Sequence, residues 1–267
     1  MKRKSFILLV AICAATMMAH AAKVDTVLVR SAAMNKDVKT VVVAPAKKGN
    51  YPVIYLLHGY SGNARSWVAL KPNLPEMADE KGIIFVCPDG KNSWYWDSPN
   101  DPSSQYETFV ARELIEYIDA HYPTIAHKSK RAISGLSMGG HGALWLSMRN
   151  KEVFGAAGSM SGGLDIRPFP GNWEMAKQLG EASANRDNWE AYTAINQIDN
   201  LRNGDLAIII DCGFDDFFFE VNNDFHRKLR KYGIDHDFIV RPGGHNGPYW
   251  VNAVDYQVLF FEKFFKR

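Results

Sequence analysis

Gly135-Leu136-Ser137-Met138-Gly139 sets a serine between two glycines in the pattern G-x-S-x-G, with a β-rich run before it and a helical run after it. At a sharp strand-to-helix turn the central residue is strained. Side chains two positions to either side would collide, so glycine is needed there. Gly140 and Gly142 extend the pattern and let the following helix pack closely. Such a turn lifts Ser137 to the top of a sheet, beside a helix N-terminus that favours negative charge. A serine hydroxyl is a weak nucleophile, however. It needs a base, and the base needs an acid to orient it.

In this setting the chain order is serine, then acid, then histidine. His141 lies one helical turn past Ser137 and precedes any candidate acid, so it reads as a helix residue turned away from the nucleophile. His226 falls in a helical stretch and reads as surface, while His236 borders the last strand and reads as structural. His245 sits in Arg241-Pro-Gly-Gly-His-Asn-Gly-Pro, a loop directly after the last strand. Active sites of open α/β sheets lie in such loops, and paired glycines let this one reach back over the sheet. His245 is therefore the expected base.

The acid should follow the strand-like run 206–211. Asp211, Asp215 and Asp216 stand there; the Gly213-Phe-Asp-Asp turn favours Asp216, with Asp215 as its main rival. Its task is to fix the imidazole tautomer and stabilise the imidazolium. Acyl chemistry also needs donors for a developing oxyanion. The expected pair is the backbone N–H of Met138 and that of Tyr60, in the loop His58-Gly59-Tyr60-Ser61-Gly62 after the third strand. His58 reads as a turn residue.

These loops require strands to carry them. Strand-like runs at 24–30, 38–44, 53–57, 83–87, 131–134, 154–160, 206–211 and 237–241 alternate with longer helical stretches, the first two as a hairpin, and those at 53–57 and 83–87 are continuously apolar and end in turn residues. Continuous rather than alternating apolar runs suit strands buried on both faces, as in a parallel sheet. Helical periodicity marks 109–122, 141–148, 222–232 and, opened by Pro248, 249–265. The alternation implies a three-layer α/β fold, a mostly parallel central sheet with helices on both faces. Residues 165–201 carry no strand pattern and read as a small insertion, or cap, after the sixth strand.

Across 267 residues the chain is 46% hydrophobic and 22% charged, which excludes disordered and fibrous classes. A net charge of +2 gives no reason to expect a nucleic-acid partner, and three cysteines cannot staple a disulfide scaffold. Cys87 and Cys212 read as small buried hydrophobes. No His/Cys spacing suggests a metal, and no cofactor is expected. Lys2, Arg3 and Lys4, an apolar run at 6–18 and Ala19-His20-Ala21 have the anatomy of an export signal, and the run is short for a membrane span. Cleavage after Ala21 would leave 22–267 as one catalytic domain, secreted or periplasmic, and shift the formal charge from +2 to −1. No later stretch is long and apolar enough to span a bilayer.

Leu57-His-Gly-Tyr-Ser-Gly-Asn63, Pro88-Asp-Gly with Ser93-Trp-Tyr95, Gly135-Leu-Ser-Met-Gly-Gly140, Asp211-Cys-Gly with Asp216, and Gly243-Gly-His245 together resemble one esterase family of the α/β-hydrolases. It is the family of esterase D (S-formylglutathione hydrolase), feruloyl and acetyl-xylan esterases and mycolyltransferases. The resemblance implies the α/β-hydrolase fold. It also implies Ser137 as nucleophile, Asp216 as acid, His245 as base, and Tyr60 and Met138 as oxyanion donors. Members similar in this region often carry a tryptophan two residues after the histidine. Here that position is Gly247, which leaves Tyr249 or Trp250 to supply the contact. Trp94 and Trp96, with Tyr95, follow the fourth strand, and Trp173 and Trp189 lie in the insertion; aromatic rings near strand ends stack on sugars or phenolic acyl groups. The expected activity is hydrolysis of small or polysaccharide-linked esters, such as feruloyl or acetyl groups on plant polysaccharide. Acyl transfer to a sugar hydroxyl is the alternative, and a non-catalytic carbohydrate-binding module the more distant one.

Overall fold

The computed structural model describes residues 21–267; the proposed export signal lies, but for Ala21, outside the described residues. Eight strands form one sheet: β1 (Lys23–Ser31), β2 (Lys36–Ala44), β3 (Val53–Leu57), β4 (Ile84–Pro88), β5 (Arg131–Leu136), β6 (Ala156–Met160), β7 (Ala207–Gly213) and β8 (His236–Arg241). Their order is β1-β2-β4-β3-β5-β6-β7-β8. The β1–β2 hairpin and the β2–β4 pair are antiparallel, and every pairing from β4 to β8 is parallel.

Between β3 and β4 run α1 (Ser66–Leu70) and α2 (Leu74–Lys81). Between β4 and β5 run α3 (Tyr106–Thr108), a π-helical turn at Phe109–Glu113, and α4 (Leu114–His121). Helix α5 (Met138–Arg149) joins β5 to β6. The segment between β6 and β7 holds only short helices, α6 (Met175–Leu179), α7 (Arg186–Ala191) and α8 (Ala194–Gln197), and no strand. Helix α9 (Phe219–Lys231) precedes β8, and α10 (Gly247–Phe265) closes the chain. No helix among the described residues is long and apolar enough to cross a membrane.

The apolar strands bury both faces because the sheet is covered on both. In β3, Val53, Tyr55 and Leu57 face a core shared with α4, α5 and α9. Ile54 and Leu56 face the other core, against α1, α2 and α10. Cys87 and Cys212 are both buried and free.

The topology also fixes where a ligand can bind. From β3 the chain passes to β4 on one side, then returns to β5 on the other. The loops leaving β3 and β5 therefore diverge at a switch in strand order, which opens a crevice at the carboxyl edge of the sheet. Ser137 and Tyr60 sit on those two loops.

Candidate active site

Ser137 caps α5 with φ 55 and ψ −120, a conformation costly for a residue with a side chain. Its neighbours hold it there. The Ser137 N–H donates to the Met160 carbonyl at 2.9 Å, and the His141 N–H donates to the Ser137 carbonyl at 3.0 Å. A Cβ on Gly135 would lie 2.4 Å from the Gly139 carbonyl oxygen, and one on Gly139 would lie 2.4 Å from that of Leu57. The glycines of the motif are thus dictated by backbone pressing on backbone.

His245 arrives from the loop after β8. Its Nε2 is 2.9 Å from Ser137 Oγ. Its Nδ1 is 3.0 and 3.1 Å from the two carboxylate oxygens of Asp216. With Nδ1–H donating to the carboxylate, Nε2 is left to accept the serine proton. Asp216 is buried, and its Oδ1 also accepts the Phe218 N–H at 2.8 Å. Asp215, its rival in the sequence, is exposed and turned outward. The third candidate, Asp211, is buried beneath the site, bonded to Arg241 and Tyr249.

The acid and histidine loops are joined by main chain. The Asp215 N–H donates to the Gly243 carbonyl at 3.0 Å, and a Cβ on Gly213 would lie 2.1 Å from that carbonyl oxygen. Gly243, at φ 134, takes a conformation that other residues rarely adopt.

On the opposite side, the loop after β3 lies against Ser137. A Cβ on Gly59 would be 3.3 Å from the serine Cβ. His58 braces this loop from within. Its Nδ1 bonds the Gly59 carbonyl at 2.7 Å and its Nε2 accepts the Gly90 N–H at 2.8 Å, so it is a turn residue as expected. Asn92 adds an outer brace, accepting the Ser61 N–H at 2.9 Å and donating to Glu174 at 3.1 Å. As the first residue of α5, Met138 has no carbonyl one turn back for its N–H. Burial, and then the Glu174 carboxylate, push the Tyr60 hydroxyl above its ordinary range.

A cleft of about 740 Å³ opens over Ser137, lined among others by Tyr60, Leu70, Trp173, Phe217, His245 and Trp250. Phe217 is 54% exposed and stacks on Trp173, with centroids 5.8 Å apart and planes 18° from parallel. It also lies 4.2 Å from the His245 ring. Trp250 meets that ring edge-on at 4.9 Å, while Tyr249 is buried. Of the two residues left to replace the tryptophan absent at Gly247, Trp250 is the one at the cleft. Phe217 went unnoticed in the sequence because it is one of three consecutive phenylalanines. Its neighbour Phe218 is buried, and only the turn at Asp216 sorts them.

Trp94 and Trp96 require a correction. Expected beside the substrate, they are 1% and 0% exposed and do not line the cleft. Their rings stack at 5.6 Å and both meet His141 edge-on at 5.3 Å. The backbone explains the inward turn. Trp94 and Tyr95 have φ of 56 and 63, which folds the chain back under the sheet edge. Gly142 leaves room for the Tyr95 ring, since a Cβ there would be 2.4 Å from it.

Comparison with known proteins follows the same lines. A family model described as "Putative esterase" matches residues 31–261. An acetyl esterase from Caldicellulosiruptor saccharolyticus is 27% identical over 216 residues, 75% of this chain and 79% of that one. The endo-1,4-beta-xylanase/feruloyl esterase of Xylanibacter ruminicola shares 35% identity over 129 residues, 45% of this chain and 18% of that protein. A solved ferulic acid esterase superposes with a TM-score of 0.78 at 29% identity, over 91% of this chain and 98% of its own. The family match runs from the first hairpin to the last helix and takes in all the loops that meet at Ser137: the chain belongs to this esterase family, has the α/β-hydrolase fold and is a carboxylic ester hydrolase.

Proposed function

We propose that the protein is an exported serine esterase working through Ser137, His245 and Asp216, and that its substrates are feruloyl or acetyl esters of plant polysaccharide. The observation that carries the mechanism is the unbroken chain from Ser137 Oγ to His245 Nε2 at 2.9 Å and from His245 Nδ1 to Asp216 at 3.0 Å. Ser137 Oγ attacks the ester carbonyl as its proton passes to Nε2. The tetrahedral oxyanion is held by the N–H groups of Met138 and Tyr60, each worth on the order of a hundredfold or more in rate. The imidazolium returns the proton to the departing alkoxide, leaving Ser137 acylated. Water, deprotonated by the same nitrogen, then releases the acid. Asp216 keeps Nδ1 protonated and stabilises the imidazolium without taking its proton.

The cleft wall supports the substrate class. Phe217, Trp173 and Trp250 offer flat apolar surface within reach of the nucleophile, which suits a phenolic acyl group or the face of a sugar ring. The names of the similar proteins point the same way. Export is supported by the basic, apolar and small-residue sequence of residues 1–21.

The test is hydrolysis of p-nitrophenyl acetate, methyl ferulate and acetylated xylan by the native protein and by Ser137→Ala. We expect the variant to lose essentially all activity on all three. Equal rates in both proteins would refute the assignment of the nucleophile, and native activity confined to p-nitrophenyl acetate would refute the substrate class.

A further inference from the structure

The loop that carries His245, residues 242–246 between β8 and α10, contains Gly243 and Gly244, and α10 opens on Gly247. A loop of this composition has little stiffness of its own. Its two ends, however, converge on one buried group. At the entry, Arg241 Nη2 donates to Asp211 Oδ2 at 2.6 Å. At the exit, the Tyr249 hydroxyl donates to Asp211 Oδ1 at 2.6 Å. The Arg241 guanidinium also lies over the rings of Tyr249 and Tyr256, at 5.3 and 4.3 Å from their centroids. The Tyr249 ring supports the loop itself, since a Cβ on Gly243 would be 2.7 Å from its edge.

Asp211 is 0% exposed and sits in β7, the strand from which the chain leaves toward Asp216. A buried carboxylate is costly to desolvate even when paired, and apolar residues of similar shape serve stability as well or better. The proposed acyl-transfer steps make no use of it. What it does is hold both ends of the histidine loop against the strand that presents the acid.

We infer that Asp211 is the positioning residue for His245: by fixing Arg241 and Tyr249 it keeps the imidazole in line between Ser137 and Asp216. The inference rests on the reading of His245 as the base. It is tested by a double-mutant cycle on p-nitrophenyl acetate hydrolysis, with Asp211→Asn made in the native protein and in His245→Ala. Small misplacements of a catalytic group cost up to about a hundredfold. In the native background, Asp211→Asn should lower kcat between about ten- and a hundredfold and leave KM within about twofold. In the His245→Ala background, where there is no imidazole to position, it should change kcat by less than about twofold. If Asp211→Asn does not fold, Tyr249→Phe, which removes one of the two ties, takes its place in the same cycle with an expected loss of about three- to tenfold in the native background only.

Equal losses in both backgrounds would assign Asp211 a general structural role and overturn the inference while leaving His245 as the base. An unchanged kcat in the native background, or a loss confined to KM, would overturn it as well. Native activity in His245→Ala alone would overturn the triad reading, and this inference with it.

Discussion

His141 and His245 each sit among three aromatic rings, and their surroundings differ in what else they offer. His245 is flanked by Phe217, Phe218 and Trp250 at the mouth of an open cleft. His141, on the helix that begins after Ser137, is enclosed by Trp94, Trp96 and Trp145. The wrapping is similar, and what differs is what the ring nitrogens meet. Those of His245 bond to a carboxylate and a serine hydroxyl. Those of His141 meet no side-chain partner, only the backbone near Trp94 and Tyr192, and burial pushes its pKa down to about 3. Aromatic surroundings make neither residue reactive; a base requires a partner on each nitrogen and an opening to the substrate.

The largest expected effect separates the two sites outright. His245→Ala should lower kcat for p-nitrophenyl acetate by about ten-thousandfold or more, and Asp216→Asn by a similar factor, through the wrong tautomer. His141→Phe should stay within about threefold of native. A His141→Phe enzyme as impaired as His245→Ala would erase the contrast.

A smaller effect concerns the rings rather than the nitrogens. Phe217→Ala and Trp250→Ala should each lower kcat/KM on a feruloyl ester by about three- to tenfold, mainly through KM, because stacking contacts are worth about 0.5–1.5 kcal/mol. Losses of that kind on acetyl and feruloyl esters alike would show that the open cluster does not read the acyl group.

The third effect leaves activity aside. His141 is neutral in the folded protein but takes a proton in the unfolded chain near its ordinary value of 6.5. Its folded pKa is depressed, so the stability it permits is present above 6.5 and is lost as the pH falls from there toward 3. Between pH 7 and 4.5 this one group should cost on the order of 2 kcal/mol. Urea denaturation of wild type and of His141→Phe at the two pH values measures it: the wild-type protein should lose more stability than the variant. Equal losses would mean that His141 does not stay neutral in its enclosure.

The same comparison shows what the sequence displays and what it hides. The inner strands β3 to β7 are legible because helices on both faces demand apolar runs buried on both sides, and the turn that holds Ser137 is legible because backbone contacts leave only glycine at 135 and 139. His245 followed from its place after the last strand. The fate of Trp94 and Trp96 did not, because the inward turn is made by positive φ angles at Trp94 and Tyr95, residues whose types give no sign of it. Helix α5 starts three residues before its periodic pattern, since Met138-Gly139-Gly140 has the packing of a first turn without its propensity. The π-helical turn at Phe109–Glu113 was likewise hidden inside an ordinary helical period, and α1 and α2 are too short to show one. Local composition reports burial well, and it reports poorly which of several adjacent rings faces a cleft.

The proposed mechanism requires that Ser137 be the group that becomes acylated. The most direct test is reaction of the native protein with a fluorophosphonate, followed by intact mass, peptide mapping and residual esterase activity. One adduct per chain is expected, located on Ser137, with activity that disappears in step with its formation. An adduct on another residue, or a fully labelled Ser137 with hydrolysis undiminished, would contradict it.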